Sequence, residues 1–124
     1  TTNETAIMGE SLAGLFVVET LLVEPSLFDT YIAFDPSVWW NNGGLIKTAP
    51  AQLRAIGNQP KTLYLASSRD DRDDTIKAFA DMLKPSAPPT LKWHYTPMPE
   101  ETHATIYHPA ALQALRVLFK PGER

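Results

Sequence analysis

The sequence predicts an α/β fold, with about four mostly parallel strands and flanking helices. Three observations predict it. Short apolar runs typical of strands alternate four times with longer runs of helical periodicity along the 124 residues. Residues 62–66 are apolar almost without alternation, as expected of a strand buried on both faces of a parallel sheet. The segments between strands are long enough to hold a crossover helix, which parallel pairing requires.

The first half of the chain predicts two strand and helix units. Residues 5–8 form a short apolar run, and residues 12–23 follow with the spacing of a helix that Pro25 ends. Residues 31–34 are the second apolar run, which leads into an Asp-Pro loop. A helix is then expected over residues 45–56, because a glycine and a proline follow it closely.

The second half predicts two more units. After the strand at 62–66, the acidic segment 70–74 begins a helix, since negative charge suits a helix N-terminus. Three prolines, the first of them Pro85, separate that helix from a strand over residues 91–95. Pro109 is expected to open a final helix that reaches Phe119.

Composition excludes several classes of protein. A hydrophobic content of 44% and a charged content of 20% are ordinary for a globular domain, so we expect a single domain over residues 1–124. The net charge of −3 and the scattered basic residues disfavour nucleic-acid binding. The absence of cysteine excludes disulfides, thiolate metal sites and cysteine nucleophiles. No apolar run predicts a membrane span, and the first residues lack the character of a signal peptide. The compartment, cytoplasmic or periplasmic, stays open.

The segment from Gly9 to Gly14 predicts a nucleophile elbow. It places Ser11 between a strand-type run and a helical run, where a sharp turn exposes the hydroxyl above a helix N-terminus. Gly9 and Ala13, two residues before and after the serine, are small enough for strand and helix to approach closely. The alternative interpretation is an ordinary turn with a serine helix cap.

A serine nucleophile needs a base, and three histidines compete for that role. His103 follows the fourth strand in a loop, at the sheet edge where Ser11 also lies, so it is the predicted base. His94 lies within a predicted strand and is expected to pack there. His108 adjoins Pro109 at a helix start, where it would be a cap or a substrate contact.

The acid that orients the histidine is expected after the third strand. Asp70 and Asp71 are nearest to that strand, although the whole acidic segment also fits a solvated helix start. Glu100 and Glu101 are alternatives from the histidine loop itself. The backbone N–H of Leu12 would donate to the oxyanion. The acidic segment lacks the glycine and terminal glutamate of a calcium-binding EF-hand, and no metal or cofactor is expected.

The sequence resembles the enterochelin-esterase-like family of α/β-hydrolases, which includes enterochelin esterase and the periplasmic hydrolase of salmochelin processing. The likeness runs from the elbow to the final helix. It is carried by residues 9–15, 28–33, 35–40 (Asp-Pro-Ser-Val-Trp-Trp) and 101–103.

The resemblance implies a serine esterase with Ser11 as nucleophile and His103 as base. Glu10 stands where histidine is common in the family, and Ala13 replaces a glycine. Trp39 and Trp40 are either packing residues or the wall of an aryl or acyl pocket. The resemblance also implies that the chain is the C-terminal half of such a domain, with the N-terminal half and the second oxyanion donor absent.

Two hypotheses about function follow. The first is a carboxylic-ester hydrolase, or its catalytic half, acting on a small ester such as a siderophore. The second is a non-catalytic module that keeps the hydrolase fold and self-associates. The first strand would be an exposed apolar edge in this chain, so we expect a homodimer or larger assembly built on it. A phosphate or thioester site at the elbow is a weaker third idea, because no phosphate-binding glycine loop is present.

Overall fold

A computed structural model describes residues 3–119 of the chain. The predicted alternation of strands and helices is confirmed. The elements in order are β1 (Ala6–Glu10), α1 (Leu12–Val23), β2 (Thr30–Phe34), α2 (Trp40–Ile56), β3 (Lys61–Ser68), α3 (Thr75–Ser86), β4 (Leu91–Met98) and α4 (Tyr107–Leu118). Short 3₁₀ turns at Pro25–Leu27 and Arg72–Asp74 follow α1 and precede α3.

The four strands form one parallel sheet in the order β1-β2-β3-β4. Gly9 pairs with Ala33, Ala33 with Leu65, and Leu65 with Tyr95, so the strands run in register across the sheet. Since every strand points the same way, the loops that follow the four strands gather at one edge, here called the carboxyl edge. That edge is where α/β folds hold their sites.

The sheet is covered on both faces, which explains the apolar pattern of its central strands. On one face α1, α2 and α3 pack against inward side chains such as Tyr31 and Leu63. On the other face α4 packs against Ile32, Phe34 and Tyr64. Residues 63–66 are fully buried, as the unbroken apolar run predicts. No helix within residues 3–119 is long and apolar enough to span a membrane.

Several boundaries differ from the sequence prediction. β1, β3 and β4 extend beyond the apolar runs that predicted them, because backbone pairing between the strands continues past those runs. α2 begins at Trp40, but three left-handed residues, 41–43, interrupt its first turn. Pro85 lies inside the last turn of α3 rather than after it. α4 begins at Tyr107, two residues before the proline expected to open it.

Candidate active site

Ser11 lies at a sharp turn between β1 and α1. Its backbone has φ 62° and ψ −124°, a left-handed conformation that L-residues rarely adopt. Such strain is of order 1–3 kcal/mol and persists only where surrounding contacts impose it. The structure therefore has the strand, strained serine and helix of a nucleophile elbow.

Backbone hydrogen bonds impose this strained turn. The Ser11 N–H donates to the Phe34 carbonyl at 3.1 Å, which ties the elbow to the end of β2. The Ser11 carbonyl accepts from the N–H groups of Leu15 and Ser37, at 3.0 and 3.1 Å. The elbow is thus bound on both sides to the strand and loop next to it.

Gly9 lets the helix come close to the strand. A Cβ atom at Gly9 would lie 2.7 Å from the backbone oxygen of Ala13, a distance that real Cβ atoms essentially never show. The requirement for a small residue two positions before the serine is therefore steric, and Ala13 itself fits at the other position.

The structure brings Ser11 and His103 together at the carboxyl edge. The Nε2 atom of His103 lies 3.1 Å from the Ser11 Oγ atom, within hydrogen-bond distance. About half of the His103 side chain is exposed, so both side chains are open to a ligand from solvent. These two groups are 92 residues apart in sequence, and the parallel sheet brings the loops that carry them to the same edge.

Asp35, which was not among the residues predicted from the sequence, holds the other side of the His103 ring. Its Oδ2 atom lies 2.8 Å from His103 Nδ1. The carboxylate is 2% exposed and also accepts hydrogen bonds from the backbone N–H and the hydroxyl of Ser68. A buried carboxylate is tolerated when such donors surround it. The signal available in the sequence was an acidic residue directly after the strand next to the elbow.

Neither Asp70 nor Asp71 contacts the imidazole, so the prediction of the orienting acid was wrong. The Asp70 carboxylate instead accepts the backbone N–H of His103 at 2.8 Å, which holds the histidine loop. Asp71 accepts from the N–H groups of Ile76 and Lys77 at the start of α3, as a helix cap does. Burial raises the pKa of the Asp71 carboxyl above its ordinary value, although these two hydrogen bonds oppose the shift.

The competing residues lie elsewhere. His94 is half-buried in β4, with its ring 6.0 Å from that of Tyr64, as predicted. His108 is exposed in the first turn of α4, edge-on to Tyr107. Glu100 and Glu101 accept hydrogen bonds from Arg69 through their main-chain carbonyls.

The remaining candidates surround the elbow or the loop beside it. Leu12 opens α1, so its N–H belongs to the first turn, where amides have no carbonyl partner in the helix. Glu10 is the last residue of β1 and is half-buried. Trp39 and Trp40 contact each other edge-to-face at 6.0 Å between ring centres, and 56% of Trp40 is exposed. Within residues 3–119 no group of three or more His, Asp or Glu side chains is arranged to hold a metal ion.

No family model matches the chain. Individual proteins do match it. The ferri-bacillibactin esterase BesA of Bacillus subtilis is 28% identical over a 123-residue alignment that covers 93% of this chain and 43% of that protein. The siderophore enterobactin esterase of Emericella nidulans is 47% identical over 47 residues, 38% of this chain and 16% of that protein.

Solved structures that this chain resembles are also hydrolases. An IroE-like serine hydrolase from Shewanella oneidensis has a TM-score of 0.84 and 28% identity, over 93% of this chain and 40% of that one. The chain is similar to the siderophore esterases. The resemblance predicted from the sequence is confirmed, and the fold is that of an α/β-hydrolase. The siderophore hydrolase EstB from Aspergillus nidulans shares this fold at 20% identity, with a TM-score of 0.77 over 93% of this chain and 48% of that one.

The chain spans less than half the length of the siderophore esterases it matches. The elbow, the histidine loop and the buried aspartate nevertheless all lie within this part. The described residues thus contain a complete row of contacts from hydroxyl to imidazole to carboxylate.

Proposed function

We propose that this chain carries the catalytic centre of a serine carboxylic-ester hydrolase that acts through an acyl-enzyme. The observation that supports it is the row of contacts from Ser11 Oγ to His103 Nε2 and from His103 Nδ1 to Asp35. These contacts support the proposed roles of Ser11 as nucleophile, His103 as base and Asp35 as orienting acid, because serine hydrolases require such a row.

In this proposal the Ser11 oxygen attacks the ester carbonyl while His103 Nε2 accepts the hydroxyl proton. His103 then gives that proton to the departing alcohol, which leaves the acyl group bonded to Ser11. Water hydrolyses the acyl-enzyme with His103 again as base. Asp35 accepts a hydrogen bond from the Nδ1–H group and stays ionised, which keeps the Nε2 lone pair directed at Ser11 and stabilises the imidazolium. The N–H of Leu12 donates to the oxyanion.

The proposed substrates are small esters of the siderophore type. The names of the relatives support this class, since they are esterases of bacillibactin and enterobactin. The half-exposed tryptophan pair beside the elbow is the proposed wall for the acyl or alcohol group. We propose no nucleic-acid or membrane partner.

The direct test is covalent labelling of the purified chain by a fluorophosphonate probe. We expect stoichiometric labelling of Ser11 and none in Ser11→Ala, because the probe reacts only with an activated serine. Folding of both proteins is checked by circular dichroism. Equal labelling of the two proteins, or none in a folded wild type, would overturn the proposal.

Self-association is a second proposed property, supported by the surface near β1. Within residues 3–119 β1 pairs on one side only, with β2. Four apolar side chains on and after α1 are 58–63% exposed: Leu12, Phe16, Val23 and Leu27. An unpaired strand edge beside apolar side chains favours association.

We therefore expect light scattering after gel filtration to give a mass above the 13.8 kDa of one chain. Phe16→Gln should shift the distribution toward the monomer. A monomer at all concentrations would contradict this prediction and leave the catalytic proposal untouched.

A further inference from the structure

Four hydrogen bonds form a closed ring beside His103. The His103 ring meets the Asp35 carboxylate through Nδ1, and the His103 backbone N–H donates to the Asp70 carboxylate. The Asp70 backbone N–H in turn donates to the Ser68 Oγ atom at 3.0 Å. The Ser68 hydroxyl lies 2.5 Å from Asp35 Oδ2, which closes the ring. The ring therefore ties the segments that follow β2, β3 and β4 to one another at the carboxyl edge.

The ring fixes the direction of the Ser68 hydroxyl proton. A hydroxyl has one proton to donate, and an ionised carboxylate only accepts. Because Ser68 Oγ accepts the Asp70 N–H, its own proton is directed at Asp35 Oδ2. The distance of 2.5 Å between these two oxygens is that of a charge-assisted bond from a hydroxyl to a carboxylate.

The Ser68 hydroxyl and the imidazole share one oxygen of Asp35. His103 Nδ1 and Ser68 Oγ both lie within hydrogen-bond distance of Oδ2, while Oδ1 accepts the Ser68 backbone N–H at 2.7 Å. One residue thus binds both oxygens of the carboxylate. Ser68 is 5% exposed and Asp35 is 2% exposed, so bulk water is excluded as a substitute for the hydroxyl. The charge on Oδ2 is divided between two donors that come from different segments.

We propose that Ser68 is a positioning residue for the proposed reaction: it fixes the Asp35 carboxylate against the imidazole, and its hydroxyl weakens the attraction of Oδ2 for the imidazolium. This inference rests on the proposed esterase function and adds the residue that sets the pH range in which His103 acts as base. The imidazole must be neutral to accept the Ser11 proton. An Asp35 carboxylate without this second donor would stabilise the imidazolium more strongly, so the base would be lost at a higher pH.

Other ionisable side chains near this ring also act on the imidazole through their charge. They come from the end of β1, the loop after β3, the histidine loop and the start of α4: Glu10, Arg69, Asp70, Asp71, Glu100, Glu101 and Tyr107. Replacement of Ser68 changes none of these charges. A displaced pH profile in a Ser68 variant therefore reports the loss of the hydroxyl.

The test measures the rate of fluorophosphonate labelling of Ser11 between about pH 5 and about pH 9, where a histidine changes its charge. In Ser68→Ala we expect the low-pH limb of this rate to move upward by about 1 pH unit. The rate on the high-pH plateau should fall about 10-fold, because the histidine loop loses an anchor. Ser68→Thr keeps a hydroxyl and should restore the wild-type limb.

Ser67→Ala is the matched control. It makes the same change at the preceding residue, which is also buried, but the Ser67 hydroxyl bonds to Tyr95 and not to Asp35. Its low-pH limb should coincide with that of wild type. Ser68→Cys keeps the size of the side chain with a weaker donor and should move the limb in the same direction as Ser68→Ala. This variant keeps the test decisive if circular dichroism shows that the alanine variant does not fold.

A titration without turnover separates failure of this inference from failure of the esterase proposal. In the Ser11→Ala protein, NMR follows the ring signal of His103, assigned by its loss in His103→Gln. Addition of Ser68→Ala should raise the midpoint of this titration, and addition of Ser67→Ala should not. An unchanged midpoint with Ser68→Ala, or an equal change with Ser67→Ala, would overturn the role of Ser68. Absence of labelling in a folded wild type, with the midpoint displaced as expected, would overturn the esterase proposal alone.

Discussion

Replacement of Asp35 by asparagine is expected to lower kcat by about 10³–10⁴-fold, with little change in KM. The Asp35 carboxylate accepts from His103 Nδ1 and from two donors on Ser68. An asparagine side chain has only one acceptor oxygen. Whichever way it turns, its NH₂ group faces either the Ser68 backbone N–H or, on the other side, the Ser68 hydroxyl and the imidazole. In the second case Nδ1 becomes the acceptor, the proton moves to Nε2, and the histidine no longer accepts the proton of Ser11.

Asp70→Asn is the matched control for this prediction. It makes the same chemical change two residues after Ser68, at a carboxylate that accepts a backbone N–H of His103 rather than its ring. The asparagine oxygen still accepts that bond, so kcat should stay within about threefold of wild type, a barrier change below 1 kcal/mol.

Steady-state hydrolysis of a 4-nitrophenyl ester and the rate of fluorophosphonate labelling measure both variants. If kcat falls more in Asp70→Asn than in Asp35→Asn, Asp70 rather than Asp35 is the acid that orients His103. Thermal unfolding of each variant separates loss of catalysis from loss of fold.

Gly9→Ala is expected to destabilise the chain by about 3 kcal/mol and to slow labelling of Ser11 at least 10-fold. The added methyl group would lie 2.7 Å from the Ala13 carbonyl oxygen and 2.8 Å from its carbon. Both are backbone atoms, so the start of α1 has to move away from β1. That movement displaces the elbow, and with it the Ser11 hydroxyl relative to His103.

Gly44→Ala is the control for added volume at a glycine. The nearest atom to its new methyl group would be the side-chain nitrogen of Asn41 at 3.2 Å, which rotates away easily. We expect its free energy of unfolding to change by less than about 1 kcal/mol, because alanine has a higher helix propensity than glycine. Urea denaturation measures both variants. A Gly9→Ala protein as stable and as reactive as wild type would show that the elbow does not depend on this close approach.

Much of the candidate active site could be predicted from short segments of the sequence. The small residues around Ser11 predict the elbow, since the order of strand, turn and helix there is a local pattern. The hydrogen bonds to Phe34 and Ser37 that hold its strained backbone come from farther along the chain. His103 was predicted from its place after the fourth strand. In the parallel sheet that position lies at the same edge as Ser11. The identity of the orienting carboxylate could not be read in this way. Seven acidic residues follow the second, third and fourth strands in sequence, and a position after a strand does not by itself select one of them: Asp35, Asp70, Asp71, Asp73, Asp74, Glu100 and Glu101.

The sequence by itself determined the order of strands and helices and the small residues of the elbow, because apolar periodicity and turn chemistry are local properties. It also predicted that His103 would meet Ser11, but only through the parallel topology that this order implies. Only the tertiary structure decided that Asp35 contacts the imidazole, since that depends on Ser68, 33 residues away, supplying the donors that let a carboxylate be buried. It also decided that Arg72 lies over Trp39, because two loops meet there only once β2 and β3 have paired.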